Sequence, residues 1–429
     1  MYKKTTSKDK EKIDALLKFK IKELKKMENK DKYDEYRINA IFDCYKWDPQ
    51  FQDKGTVAHH ALVLTEKEYE EVKRLTEAMD EETRNAETYI NQHIDIAKPL
   101  HLPKKIYKEL LRMNNYDPNT HIRLMRYDFH PTMEDTWAVS EVNSDVPGGF
   151  AEASLLPKLV IKTVEGEEHY KSIDFGEILA DALSSKIKEK GNIMFVHCSS
   201  YSDDRQVMQF IGDKMSGRGY NSLYGAADHV IFKDTVAHSR LSGHECKLDC
   251  IFRFTPLEWL RDIKPKAWDG YFDTTTPSCN HPVAIFAQTK RFPLIWPELE
   301  KAGIKLDTWK SLLPDTIEVK QAKGKVGYIY KPACGRVGER IAIKEAISEE
   351  EYKLILKEVR RNPKNYLAQK QFTSKPLLSE EGIEYHVCLG SYTVDGKQAG
   401  FYARISKTNR IDSGASDIPV LIERGEEHE

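Results

Sequence analysis

The sequence predicts an α/β fold with two or three lobes, and three observations support this. The chain has 429 residues, which suggests this number of lobes at roughly 100 to 200 residues each. Short β-like runs at 121–129 and 136–143 flank a polar turn, which is typical of a hairpin. A strand, loop, helix and strand follow at 192–232, the pattern of an open parallel sheet. No repeat or low-complexity linker is visible, so we expect the lobes to be interleaved.

Composition excludes several classes of function. The 66 Lys and Arg residues nearly balance 68 Asp and Glu residues, so the chain has no long-range field for nucleic acid or anionic lipid. No apolar run approaches the length of a membrane span, and the N-terminus has no apolar leader. The seven cysteines are scattered without a CxxC pair, which predicts reduced thiols. We therefore expect a cytoplasmic protein that binds small molecules and neither nucleic acid nor a membrane.

The remaining elements follow from periodicity. Residues 8–30 are rich in Lys and Glu with apolar residues at helical spacing, and they predict an amphipathic helix within an N-terminal segment 1–35. Thr65 and Glu68 form a capping-box pattern that opens a second helix over 66–91. Within 192–232, the second parallel strand is predicted at 229–232. In the C-terminal part, the sequence predicts strands at 325–332, 366–372 and 399–406. It also predicts one capped helix at 348–361.

Polar side chains alternate along the predicted hairpin. Arg126 and Asp128 project together, as do Glu141, Asn143 and Asp145, because alternate strand residues share a face. Mg²⁺ prefers hard oxygen ligands, so Asp128, Glu141 and Asn143 are candidate metal ligands. Arg126 is suited to hold a phosphoryl group or a carboxylate. A polar strand surface facing solvent would show the same spacing.

A second group of candidate residues lies in the C-terminal part. Lys331 ends a strand and runs into a loop with Gly335, Arg336 and Gly338, which offers cations and backbone N–H groups to polyphosphate. The segment lacks the Walker A pattern. A glycine turn between two strands, with its cations in solvent, would have the same sequence pattern. After the capped helix, the run 366–372 predicts an edge strand whose backbone could bind an adenine ring.

In this order the motifs resemble the glutathionylspermidine synthase family, a circularly permuted branch of the ATP-grasp ligases. The similar segments are RYDF, SEVNSDVPGGFAEAS, RFTPLEW, QTKRFPLIW and KPACGRVGERI, at 126–129, 140–154, 253–259, 288–296 and 331–341. The carboxylate segment precedes the nucleotide segment, as in the permuted branch. The resemblance implies a permuted ATP-grasp-like fold with a Rossmann-like preATP-grasp lobe.

The resemblance also assigns roles to individual residues. It implies that Asp128, Glu141 and Asn143 hold magnesium and that Arg126 and Arg336 are catalytic. The implied ATP-binding residues are Lys290, Lys331, Gly335, Val337, Gly338, Gln369, Lys370, Gln371, Phe372 and Arg404. One departure concerns Val146 and Gly148, which stand where members acting on glutathione carry small hydroxyl residues.

The implied module covers 36–429. Its expected parts are a parallel-sheet lobe at about 190–285, a nucleotide-clamping lobe at about 290–376, and a metal and substrate core from 120–160 and 377–429. The expected activity is ATP-dependent ligation of a peptide or amino-acid carboxylate to an amine through an acyl phosphate. Two alternatives remain open, namely an ATP- and magnesium-binding protein without turnover, and an ATP-grasp kinase that stops at phosphorylation.

Overall fold

The fold is taken from a computed structural model. It describes residues 20–23, 30–47, 50–51, 54–113, 116–162, 166–260, 268–335 and 340–425. The predicted residues Arg336, Val337 and Gly338 lie outside this described part of the chain.

A central antiparallel sheet joins two distant parts of the sequence. Its strands, in spatial order, are Ser416–Ile418, Lys397–Ser406, Glu384–Val394, Leu124–Pro131 and Trp137–Asn143, and Leu377–Leu378 also pairs with Glu384–Val394. The predicted hairpin is therefore confirmed. Its strands are largely buried, and the long helix Glu66–Gln92 packs against the sheet. That helix begins with the predicted capping box, in which Glu68 N donates to Thr65 Oγ1 and Thr65 N donates to Glu68 Oε2.

A parallel sheet stands beside the central sheet. Its strands are, in spatial order, Ser278–Cys279, Cys250–Arg253, Asn192–Val196 and Asn221–Gly225. Helix Ser202–Gly217 connects the last two. The strand–helix–strand prediction is confirmed in kind, but its second strand is not at 229–232. Gly219, with φ +87°, turns the chain directly after the helix, so residues 221–225 close the unit.

The segment predicted as that second strand forms part of a separate sheet. Strand Val230–Lys233 pairs antiparallel with Val236–Ser239, which pairs in turn with Cys246–Lys247. The β-forming residues of this segment therefore pair with the next strand along the chain and not with the parallel sheet.

A small three-stranded sheet carries the predicted nucleotide segment. Its order is Thr316–Ile317, Tyr366–Lys370 and Tyr328–Pro332, all antiparallel. The predicted capped helix is confirmed as Glu349–Arg361, where Glu351 N donates to Ser348 Oγ. Strand Tyr366–Lys370 is the middle strand, so the expectation of an edge strand is wrong. Strand Thr316–Ile317 is too short and polar to have been recognised from periodicity.

An edge sheet corrects the prediction for the N-terminus. Its order is Lys20–Glu23, His60–Leu64, Val420–Glu423 and Tyr170–Lys171. Residues 20–23 are thus a strand rather than part of a helix over 8–30, and the rest of that predicted helix up to residue 29 lies outside the described residues. The first helix in the described part of the chain begins at Lys30. The sequence Lys-Ile-Lys-Glu alternates with a period of two as well, and pairing with the buried strand His60–Leu64 decides between the two patterns.

Further helices and short strands connect these sheets. The other α-helices are Lys30–Asp43, Lys104–Arg112, Phe150–Ser154, Leu156–Ile161, Phe175–Lys186, Leu257–Leu260, Ile285–Gln288, Trp296–Lys301 and Asp307–Leu312. The 3₁₀ helices are Ile94–Leu100, Glu167–His169, Ala227–His229, Asp269–Tyr271, Pro282–Ala284, Phe292–Ile295 and Pro363–Asn365. Strands Gln50–Phe51 and Lys54–Gly55 form a short hairpin. Among the described residues, no helix has the length and apolar character needed to cross a membrane.

One buried apolar cluster holds the central and parallel sheets together. It includes Met125 and Tyr127 from the central sheet and Met194 and Ile251 from the parallel sheet. All seven cysteines are free thiols, as predicted. The central hairpin and the parallel sheet therefore share one apolar core.

Candidate active site

Four polar side chains meet on one face of the central hairpin. In the antiparallel register Asp128 lies opposite Glu141 and Arg126 opposite Asn143. Arg126 donates two parallel hydrogen bonds to Asp128, from Nε to Oδ1 (2.8 Å) and from Nη2 to Oδ2 (3.0 Å). Asn143 Nδ2 also donates to Asp128 Oδ2 (3.0 Å). The structure therefore brings together the four residues whose spacing predicted a shared face.

Two lysines approach this face from other parts of the fold. Lys290 Nζ lies 2.5 Å from Glu141 Oε2 and donates to the carbonyl oxygen of Gly335 at 2.9 Å. Lys331, in the small sheet, is almost completely buried. Burial and the positive charge of Lys290 lower the pKa of Lys331 to about 8, although the carboxylate of Glu141 acts in the opposite direction.

The two carboxylates differ in their electrostatic setting. Burial acts to raise the pKa of Glu141, but Lys290 and the other nearby cations hold it below its ordinary value. Burial raises the pKa of Asp128 despite its paired hydrogen bonds to Arg126. Glu141 therefore stays ionised at neutral pH, and a cation beside Asp128 would favour its ionised form as well.

The donor set fits a magnesium ion. Asp128, Glu141 and Asn143 offer carboxylate and carboxamide oxygens on one wall, which is the ligand chemistry that Mg²⁺ prefers. The Asn143 amide now points its nitrogen at Asp128, and a half-turn of the amide would present its oxygen. Among the described residues, no group of three or more His, Cys, Asp or Glu side chains is placed to hold a metal. The fit therefore depends on the asparagine.

These side chains line a cavity of about 780 Å³. Its walls come from the central hairpin, the small sheet, helix Ser202–Gly217 and the short hairpin at 50–55. The volume lies within the range of roughly 300 to 1,000 Å³ found for small-molecule sites.

The predicted adenine-binding residues divide into two pairs. Gln371 and Phe372 line the cavity, and the Phe372 ring lies 5.4 Å from that of His130. Gln369 is buried elsewhere, where its Nε2 donates to Thr316 Oγ1 (3.0 Å), and it lines a separate cavity of about 20 Å³. The Lys370 side chain is exposed outside the large cavity, and its backbone N–H donates to Asp315.

The remaining predicted residues lie on the cavity wall where they are described. Arg404 lines the cavity, and its Nη2 donates to the carbonyl oxygens of Asp412 (2.6 Å) and Ala415 (3.1 Å). Gly335 lines it as well, and a Cβ there would lie 2.4 Å from Pro332 Cγ, so only glycine fits. Val146 and Gly148 are also on the wall.

Asp145 does not share the face of Glu141 and Asn143. The strand ends at Asn143, and Asp145 is buried, where it accepts hydrogen bonds from Arg253 Nη2 and from the backbone N–H of Leu257 (2.8 Å). Alternation therefore fails here because the strand has ended. Arg253 belongs to the RFTPLEW segment. That motif is the sequence feature that could have indicated a role for Arg253, but it does not indicate that Asp145 is its partner.

Sequence reasoning missed several residues of the site. Gln288 Oε1 accepts hydrogen bonds from the backbone N–H groups of Ser144 and Asp145 (2.8 Å each), which fixes the chain directly after strand Trp137–Asn143. Lys46, Glu152 and Asp417 also line the cavity and are buried together. Their positions, far apart in sequence, carry no local signal.

The fold is of the ATP-grasp-like class. The pattern of the glutathionylspermidine synthase preATP-grasp family matches residues 20–423, and the chain belongs to this family. No curated protein matches the chain in sequence. Family membership indicates a ligase of the peptide-ligase kind with small-molecule substrates.

The chain is also similar to solved structures, among them the following two. A glutathione synthetase-like effector from Globodera pallida, in its apo form, is 12% identical with a TM-score of 0.61, over 90% of this chain and 96% of that chain. A protein described as a gamma-glutamylcysteine synthetase from Methylobacillus flagellatus KT is 10% identical with a TM-score of 0.38, over 79% of this chain and 88% of that chain. The first of these shows that the chain has an ATP-grasp-like fold.

Proposed function

We propose that this chain is an ATP- and magnesium-dependent carboxylate–amine ligase that forms an amide bond through an acyl phosphate. The observation that carries the proposal is the meeting, in one cavity, of the oxygen ligands Asp128, Glu141 and Asn143 with Lys290 and Lys331. A metal site and two phosphate-binding cations side by side are what phosphoryl transfer requires.

The chemistry explains why such a site suits this reaction. A carboxylate does not react with an amine at neutral pH, because its negative charge repels the nucleophile and oxide is a poor leaving group. Phosphorylation of the carboxylate removes both obstacles. Asp128, Glu141 and Asn143 would hold Mg²⁺, which when bound neutralises phosphate charge. Lys290 and Lys331 would bind the phosphates directly.

Arg126 has the position of a catalytic residue in this scheme. Its guanidinium is held by Asp128 and by the carbonyl oxygen of Gly148 (2.9 Å), so its orientation is fixed before substrate arrives. It would stabilise the oxyanion that forms when the amine attacks. Removal of one such donor costs roughly 3 to 4 kcal/mol of transition-state stabilisation.

The first experiment measures ADP release from Mg-ATP with a panel of amino acids and peptides crossed with a panel of amines. We expect release that requires both an acid and an amine, and its loss in Asp128→Asn. The matched control is Glu300→Gln, an exposed carboxylate on helix Trp296–Lys301 outside the cavity, which should leave turnover unchanged.

Each other outcome contradicts a stated part of the proposal. ADP release with the acid alone and a phosphorylated product would indicate a kinase. Tight magnesium-dependent ATP binding with no release under any pair would indicate a binding protein. Normal release by Asp128→Asn would place the metal site elsewhere.

A further inference from the structure

A buried charged cluster lies on the cavity wall beyond the metal-binding face. Lys46 Nζ lies 3.1 Å from Glu152 Oε1 and 2.7 Å from Asp417 Oδ2. The three residues are 2%, 8% and 5% exposed, and all three line the large cavity. The ligase scheme above makes no use of them.

This cluster is contiguous with the proposed reaction centre. The Arg126 guanidinium lies 5.1 Å from the centre of the Tyr402 ring, and the Tyr402 hydroxyl donates to Asp417 Oδ1 (2.7 Å). Asp417 in turn contacts Lys46. A molecule that reacts near Arg126 therefore extends towards Lys46 if it reaches past Tyr402.

Two buried carboxylates on a cavity wall form a site for a cation. Burying them unpaired is costly, so each must be neutralised or paired. Here the chain supplies the cation, since Lys46 and Arg404 balance Glu152 and Asp417, with Arg404 Nε 3.6 Å from Asp417 Oδ1. Two further carboxylates on the wall, in the first turn of helix Ser202–Gly217, are more exposed and screened by water.

Groups of the chain already occupy the acid pair. Glu152 Oε1 accepts from Lys46 and from Gln206 Nε2 (2.9 Å). Glu152 Oε2 is buried, and no residue in the described part of the chain donates a hydrogen bond to it. A second full ammonium group in this part of the cavity would therefore lie beside Lys46 without a carboxylate of its own.

We propose that Lys46 is a specificity-determining residue. Its ammonium group fills the Glu152–Asp417 pair. The cavity therefore favours acceptors that have no amino group besides the one that attacks, and disfavours diamines and polyamines. The identity of the acceptor rests on the proposed ligase function, while the occupied ammonium site does not. This preference differs from the spermidine that the family name contains.

The segment around Lys46 has other anchors, so the residue can be replaced. The Tyr45 hydroxyl donates to Asp213 Oδ2 (2.8 Å), and the Trp47 backbone N–H donates to Gln206 Oε1 (3.3 Å). We therefore expect Lys46→Ala to fold with an unfilled acid pair, and Lys46→Arg to keep the pair filled.

The test is rescue by a small ammonium ion in the absence of any turnover. Thermal unfolding of the wild type, Lys46→Ala and Lys46→Arg is followed in ethylammonium chloride, with NaCl and tetramethylammonium chloride at equal ionic strength as controls. We expect ethylammonium to raise the Tm of Lys46→Ala by roughly 2 °C or more above both controls. The wild type and Lys46→Arg should show no such rise.

Two results would overturn the proposal. One is a Tm of Lys46→Ala that responds equally to ethylammonium and to the control salts. The other is measured on the wild type by calorimetry and applies even if Lys46→Ala does not fold. It is saturable spermidine binding to the wild type that is lost in Asp417→Asn.

Turnover separates this inference from the proposed function. Rescue of Lys46→Ala without ADP release by the wild type under any pair would support the occupied ammonium site and refute the ligase. ADP release by the wild type with spermidine as the preferred acceptor would support the ligase and refute the role of Lys46.

Discussion

Two buried lysines on the same cavity wall are stabilised in different ways. A buried ammonium group is costly unless carboxylates pair with it or its pKa falls. Lys46 has two carboxylates within 3.1 Å, which keep its charge. Lys331 instead has a pKa lowered to about 8 by burial and by Lys290. An anion bound beside Lys331 would therefore favour its protonation to the full ammonium form, whereas Lys46 is already charged.

This difference predicts that ATP binding takes up a proton. At pH 8 Lys331 is about half protonated in the free protein, and bound phosphates favour its ammonium form. We expect uptake of about half a proton per ATP at pH 8, and an affinity that falls roughly tenfold per pH unit above it. Calorimetry at one pH in buffers of different ionisation enthalpy measures the uptake.

The control for this prediction is Lys331→Arg, which stays charged throughout this pH range. It should bind ATP without proton uptake. Equal uptake by the wild type and Lys331→Arg would show that another group titrates.

At the scale of elements, the sequence predicted structure best where periodicity and end signals agree. The capped helices at 66 and 348 and the hairpin have both signals, and all three are confirmed. The prediction failed where pairing partners decide, as for the strand at 20–23 and the middle strand Tyr366–Lys370. No local pattern states which distant strand lies alongside.

The same reasoning applies to the site. Asp128, Glu141 and Asn143 meet because they share one hairpin, so alternation was sufficient. The hairpin also has a register shift after Asp128, which places Ser140 on the cavity wall and which alternation does not anticipate. Lys46 and Asp417 lie far apart in sequence and meet only through tertiary structure.

The buried pair of Arg253 and Asp145 links the parallel sheet to the chain directly after strand Trp137–Asn143. Both side chains are 0–1% exposed. We expect Asp145→Asn to lower the free energy of unfolding by about 3 to 5 kcal/mol, because an unpaired buried guanidinium remains. Urea denaturation measures the change.

A double variant provides the control for this pair. Asp145→Asn combined with Arg253→Met should lose less stability than the sum of the single variants, because no charge is left buried. Strict additivity would mean that the two side chains do not stabilise one another.

At the scale of the whole molecule, buried histidines join the central sheet and the parallel sheet. His121 precedes the central hairpin and His281 follows the parallel sheet, and their ring centres are 4.5 Å apart. Burial lowers the pKa of His121 to about 4 and lowers that of His281 well below its ordinary value. Both rings are therefore neutral at pH 7, and protonating either one opposes the contact between the sheets.

This arrangement predicts a loss of stability in mild acid. Between pH 6.5 and 4 the unfolded chain binds more protons at His121 than the folded chain, so stability falls as the pH falls through this window. We expect a contribution of about 2 kcal/mol from His121 to be lost by pH 5. Urea midpoints at pH 7, 6 and 5 measure it.

The variant His121→Gln keeps a polar side chain near Ser278, which now lies 2.9 Å from His121 Nδ1, and it removes the titrating group. Its urea midpoint should depend less on pH than that of the wild type. An unchanged pH dependence would assign the acid sensitivity to other groups.

The strands of the central sheet are far apart in sequence, so they are synthesised at different times on the ribosome. The hairpin that carries Asp128, Glu141 and Asn143 ends at Asn143, whereas the strand that pairs with it begins at Glu384. At about 5 to 20 residues per second, the hairpin waits roughly 10 to 50 s for this partner. We expect one of its edges to be open to chaperones or to other nascent chains during that time. Protease sensitivity of ribosome-bound chains stalled before and after residue 394 would show whether the edge closes when that partner emerges.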